Sequence, residues 1–165
     1  MIAEENMNTD REYINIAGWI DASCDDGPGI RSVLFFQGCS KNCPGCHNAK
    51  THDPNSGKLY RIDELISHIE KACPSHVITI SGGEPMEQIE GLEKVLTELK
   101  KRGYNICLYT GWSEKNVPDR ILSLIDYLKA GSFVKQLHKG DLQYYGSSNQ
   151  KMFQVSCGKI VREVA

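Results

Sequence analysis

The chain has 165 residues, 40% of them hydrophobic and 24% charged, and a formal net charge of −2. That length suits one domain with a real core and falls short of the ~250 residues of a complete eight-unit (β/α) barrel. The near-neutral balance excludes recognition of nucleic acid or a membrane surface driven by long-range charge, and no apolar run approaches the ~20 residues of a membrane span.

Residues 1–11 are polar and acidic, lack the apolar core of a signal peptide, and read as the flexible N-terminus of a single cytoplasmic domain over residues 1–165. Next, Asp26-Gly27-Pro28-Gly29 carries good turn chemistry. Ser32–Gln37 is a short apolar run bounded by glycines, which predicts a buried strand with the cysteine-rich segment straight after it. Ile62, Leu65, Ile66 and Ile69 predict a helix over Arg61–Ala72, ended by Pro74. Val77–Ser81 is β-branched and predicts a strand leading into Gly82 and Gly83. Ile89, Leu92, Leu96 and Leu99 mark a second amphipathic helix, which Gly103 caps. Tyr104–Thr110 reads as a strand, Pro118–Ile125 as a short helix, and Asp126–Ala130 and Met152–Ser156 as two more strands. This alternation predicts an α/β fold of right-handed βαβ units with a mostly parallel sheet, whose chemistry lies in loops after the strands' C-terminal ends.

Seven cysteines in a reducing compartment argue against a disulfide framework and turn attention to metal. Cys24, Cys73, Cys107 and Cys157 are scattered and read as small apolar residues, a description that fits Cys157 least. Cys39, Cys43 and Cys46 form a C-x3-C-x2-C loop. Soft thiolates suit zinc or an iron–sulfur cluster, and three ligands in place of four leave one metal position open. Zinc, with His47 or a distant cysteine as fourth ligand, remains the alternative on spacing alone. Gly82 and Gly83 on a later strand end permit close backbone approach to a ligand on that open position, with Glu84 and Pro85 following.

Four passages together resemble the glycyl-radical-enzyme activases of the radical S-adenosylmethionine (SAM) superfamily. They are Asp26–Arg31 followed by Gln37-Gly38-Cys39, then Cys43–Asn48, then Ser81–Pro85, and finally Gly146–Gln150. The last is similar to the activases of anaerobic ribonucleotide reductase in particular. The resemblance implies a partial (β/α) barrel in which Cys39, Cys43 and Cys46 hold three irons of a 4Fe-4S cluster and SAM chelates the fourth. An electron from a flavodoxin- or ferredoxin-like donor then cleaves SAM, and the resulting radical takes a hydrogen from a glycine of the reductase; neither nucleic acid nor membrane is a partner. It places Gly45, Cys46 and His47 along the adenine, Gly82, Gly83 and Glu84 at the methionine end, and Tyr109 and Thr110 near the ribose. Asp26 and Arg31 become candidates for partner contact, as do His138, Tyr144 and Tyr145. An activase of pyruvate formate-lyase, or a radical SAM enzyme on a small molecule, is the alternative. Two departures stand out: Gly45 sits where many radical SAM proteins carry an aromatic residue, and Lys129-Ala130-Gly131 lacks the acid that reductase activases often show there.

Overall fold

The computed structural model describes residues 12–165; the expected flexible segment 1–11 lies outside them. One eight-stranded sheet forms, in the order β3-β1-β2-β4-β5-β6-β7-β8. The strands are β1 (Tyr13–Ser23), β2 (Arg31–Phe36), β3 (Lys58–Arg61), β4 (Val77–Gly82), β5 (Asn105–Thr110), β6 (Tyr127–Ala130), β7 (Lys151–Ser156) and β8 (Lys159–Glu163). Helices α1 (Ile62–Ala72), α2 (Ile89–Lys101) and α3 (Asp119–Leu122) supply the connections. No helix among the described residues is long and apolar enough to cross a membrane.

The expectation of a mostly parallel sheet is corrected. Only β2-β4, β4-β5 and β5-β6 pair in parallel; the other four pairings, at both flanks, are antiparallel. A parallel neighbour needs a crossover long enough to return the chain to the same end, and α2 and α3 provide it at the centre. At the C-terminal flank Cys157 and Gly158 close a two-residue turn with φ of 50° and 74°. Left-handed values at both turn positions fold β7 back on β8. Strands β1, β3 and β8 went unread because their faces are half polar: β8 shows only residues partly or fully open to solvent.

Strand alternation divides the sheet into two faces. One row crosses it through Leu34, Ile80, Leu108, Leu128 and Phe153, all register partners and all buried. Against this face pack Ile62, Leu65, Ile66 and Ile69 of α1 and Leu92, Val95, Leu96 and Leu99 of α2, each set spaced i, i+3, i+4, i+7. Helix α2 stops where Gly103, at φ 77°, lets its own N–H reach Lys100 O and the Tyr104 N–H reach Leu99 O, a Schellman closure. The row on the opposite face runs Val33, Thr79, Cys107, Tyr127, and beyond it stand Tyr109 and Lys129. Among the described residues no α-helix packs on this face, and Tyr109 and Lys129 line the cleft described below.

Arg31, expected at a partner-facing site, is 1% exposed. Its guanidinium donates to Thr79 Oγ1 (2.9 Å), Pro28 O (2.9 Å), Ile78 O (2.9 Å) and both Asn105 oxygens (3.0 and 2.9 Å). These bonds tie the starts of β2, β4 and β5 together, so the Arg31 guanidinium is committed to contacts within the fold. Cys73 and Cys107 are buried as small apolar residues are, whereas Cys24 and Cys157, the latter the one that fitted that description least, are exposed.

Arg31→Met strips several enclosed oxygens of their donor at once and is expected to lower stability by about 3 kcal/mol in urea unfolding. Burial pushes the Cys107 thiol up to about 12. Alkylation of the native apoprotein at pH 8 therefore labels Cys24 and Cys157 while Cys107 stays unlabelled until denaturant is added, as peptide mapping will show.

Candidate active site

The cysteine loop begins where β2 ends and is fastened at its root by main-chain bonds. Gly38 N donates to Thr51 O (2.7 Å) and Cys39 N to His52 O (3.0 Å), while the Gln37 side-chain amide donates to Asp53 O (2.8 Å). Ser40 bonds the Glu87 carboxylate through its N–H (2.9 Å) and hydroxyl (2.6 Å). Farther on, Cys46 N donates to Cys43 O (3.1 Å) and Gly45 has φ 74°. With proline at the second position and a left-handed glycine at the third, Cys43-Pro44-Gly45-Cys46 is a type II turn that begins and ends on a cysteine. This turn explains the missing aromatic residue, because a side chain at Gly45 would be strained. The space a Cβ would enter is taken by the Lys135 stem, 3.2 Å away at Cδ. Gly45 therefore faces Lys135 and does not line the cleft.

Gly82 and Gly83 serve a purpose that their sequence did not disclose. A Cβ on Gly82 would overlap the Phe36 backbone, and one on Gly83 would overlap the Gly38 carbonyl. Without side chains, the end of β4 lies directly on the root of the cysteine loop: Gly83 N donates to Phe36 O (2.8 Å) and Glu84 N to Gly38 O (2.8 Å). The glycines and the cysteines thus form one backbone unit.

Glu84 carries that unit on to β5. It is 1% exposed. Its carboxylate accepts from Met86 N (3.0 Å), Thr110 Oγ1 (2.7 Å) and Gly111 N (2.7 Å). Burial holds its pKa above the ordinary range, and the three donors and Lys41 pull the other way. Glu84 and Thr110, both expected to touch SAM, are thus already bonded to each other.

The cleft on the open face has a volume of about 690 Å³. It gathers Cys39, Cys43, Cys46, His47, Gly82, Gly83, Glu84, Tyr109, Thr110 and Asp26, while the expected residues Gly45 and Arg31 stay outside its lining. Asp26 is held in the lining by two bonds: Thr79 Oγ1 donates to its carbonyl (2.6 Å) and the Ser23 hydroxyl to its carboxylate (2.6 Å). His47 packs against Phe133 and His138, at 5.5 Å between ring centroids in each case. The Gly146–Gln150 segment closes this wall: the Gln150 side chain accepts from Gly146 N (3.0 Å) and Ser147 N (3.2 Å) and donates to Gly131 O (2.8 Å).

Sequence reasoning passed over Lys129 and Phe133. Lys129 was noted only as failing to supply an acid. Its alternation with the apolar Leu128 on the same strand was the signal that it faces away from the core. Burial pulls the Lys129 ammonium down to about 8, opposed by the charges of Glu84, Cys107, Cys46 and Cys43.

The donor set fits a 4Fe-4S cluster. Three soft thiols from one loop line one wall, all free of disulfides. Among the described residues no three Cys, His, Asp or Glu side chains converge on a point that a single ion could fill. A cluster takes each thiolate on a different iron and so asks for separated thiols instead of convergence.

Comparison with known proteins agrees with this chemistry. Residues 25–153 match the 4Fe-4S single cluster domain family. The chain is 31% identical, over 92% of its length and 97% of the relative's, to the anaerobic ribonucleoside-triphosphate reductase-activating protein of Enterobacteria phage T4. It is 40% identical to the pyruvate formate-lyase-activating enzyme of Staphylococcus aureus strain USA300, but over 52% of this chain and 36% of that enzyme. Among solved structures, QueE from Escherichia coli superposes with a TM-score of 0.54 at 15% identity, covering 86% of this chain and 68% of that one, a likeness of fold.

Gly83→Ala must push the loop root off β4. Anaerobic reconstitution of this variant is expected to give at least a fivefold loss of bound iron, whereas Gly140→Ala, with nothing within 4 Å of its Cβ, keeps the wild-type content.

Proposed function

We propose a function from one premise: the chain belongs to the family of anaerobic ribonucleoside-triphosphate reductase-activating proteins, within the wider 4Fe-4S single cluster domain family. It is a radical SAM activase that produces a glycyl radical on an anaerobic ribonucleotide reductase. The observation that carries this reading is the joining of the cysteine loop and the Gly82-Gly83-Glu84 strand end into one hydrogen-bonded unit at the head of an uncovered sheet face. On this reading the sheet is the partial barrel of the radical SAM fold, with its parallel centre as the catalytic part.

Cys39, Cys43 and Cys46 would hold the cluster, and SAM would sit on its open iron. When bound, the pair supplies the chemistry: one electron, from a flavodoxin- or ferredoxin-like donor, cleaves SAM to methionine and a 5′-deoxyadenosyl radical that takes hydrogen from a glycine. The chain's own residues position and enclose. The Cys43–Cys46 turn fixes two thiols, and the bonds from Gly83 and Glu84 to Phe36 and Gly38 hold the strand end against the loop. Glu84 and Thr110 keep the ends of β4 and β5 at a constant separation. His47 and Phe133 pack together at one side, and Thr79 ties Asp26 to β4. A cleft left uncovered by helices admits a protein loop more readily than it encloses a small molecule, which favours a protein glycine as the substrate over the small-molecule alternative. The identity with the Staphylococcus enzyme keeps pyruvate formate-lyase as a second partner to test.

Reconstituted protein, SAM, dithionite and a purified anaerobic reductase are expected to give a glycyl doublet in electron paramagnetic resonance. No doublet despite SAM cleavage would remove the reductase as substrate. Replacing any one of Cys39, Cys43 or Cys46 by Ser is expected to abolish SAM cleavage and the visible iron–sulfur absorption together, whereas Cys157→Ser leaves both unchanged.

A further inference from the structure

Lys129 is a cation that no step above uses. It stands on β6 in register with Tyr109 of β5, with its ammonium 5.0 Å from the centroid of the Tyr109 ring, and it lines the cleft. Among the described residues it takes part in none of the ion pairs. The Glu84 carboxylate, which favours its charge, is already held by Met86, Thr110 and Gly111. Beside it the Tyr109 hydroxyl is buried with no hydrogen-bond partner. Lys129 shares the cleft lining with Cys39, Cys43 and Cys46, the proposed cluster ligands.

We propose that Lys129 is a fixed positive charge that raises the reduction potential of the cluster held by Cys39, Cys43 and Cys46. The inference rests on the cluster assignment made above. Three thiolates and a cluster core are together anionic, and reduction adds one electron from the external donor without making or breaking a bond. An ammonium nearby therefore favours the reduced form more than the oxidised one. With protein on the sides of the cleft that preference is screened less than it would be on a flat surface. Net charge and solvent exposure around a cluster are the levers by which a protein sets its potential. Lys129 supplies the first, and its position on a central strand keeps the charge at a constant distance.

The test is a redox titration of the reconstituted full chain at pH 7 without SAM, followed by electron paramagnetic resonance. Lys129→Met and Lys129→Gln are expected to titrate at a more negative midpoint than wild type, with unchanged iron and sulfide content, and Lys129→Arg to stay near wild type. A wild-type midpoint in both uncharged variants, with the cluster intact, overturns the proposal. Weaker SAM binding with an unmoved potential also overturns it, and assigns the ammonium to a carboxylate of SAM. Failure of the underlying cluster assignment shows separately, as a wild-type protein with no iron–sulfur spectrum to titrate.

Discussion

Everything at the head of the sheet depends on how closely two backbones approach. Gly82 and Gly83 bring β4 against the root of the cysteine loop at a distance that no side chain allows, and main-chain bonds to Phe36 and Gly38 fix the contact. Because the contact is backbone on backbone, it has no rotamers to choose among and little freedom to shift. The Glu84 carboxylate then extends the rigidity to β5 through Thr110 and Gly111. Three consecutive strand ends are thus set relative to one another before any ligand arrives, and preorganisation of this kind spares a reaction the cost of arranging its site.

The second constraint is the division of labour between the faces of the sheet. The helix-covered face carries the apolar row through Leu34, Ile80 and Leu108 and provides the burial that holds the fold together. That leaves the other face free to carry groups a core would not tolerate: a guanidinium, an ammonium, and threonine and tyrosine hydroxyls. Arg31 at one end of this face is satisfied by its bonds, while Lys129 towards the other is not. The contrast between them separates a charge used to build the fold from one left for chemistry.

Much of this was legible in the sequence. The helices over Ile62–Ala72 and Ile89–Lys101 follow from their apolar spacing, and the Gly103 cap from its position. The central strands and the association of the cysteine and glycine motifs at strand ends were also readable. What escaped depended on neighbours distant in sequence. Strands β1, β3 and β8 pair at the flanks, where one side meets water and the apolar signal fades. Arg31 looked like an exposed residue in a polar turn until the carbonyls of Ile78 and Asn105, 47 and 74 positions away, came to surround it. A further use of Gly82 and Gly83 escaped for a similar reason: one surface they accommodate, the Phe36 and Gly38 backbone, belongs to the protein itself.

Among the described residues the linear strand order leaves β3 and β8 with one unpaired edge each. Such an edge is a template on which another chain could add a strand, and Leu59 and Val161 are exposed along these two. Lys58 and Arg61 flank the first, and Lys159, Arg162 and Glu163 the second, so a copy approaching in the same register would meet like charges and would have to desolvate them. A sheet that must stay open for a cleft to exist on its face is in this way kept from growing at its margins, and colloidal solubility becomes part of the same design problem as catalysis.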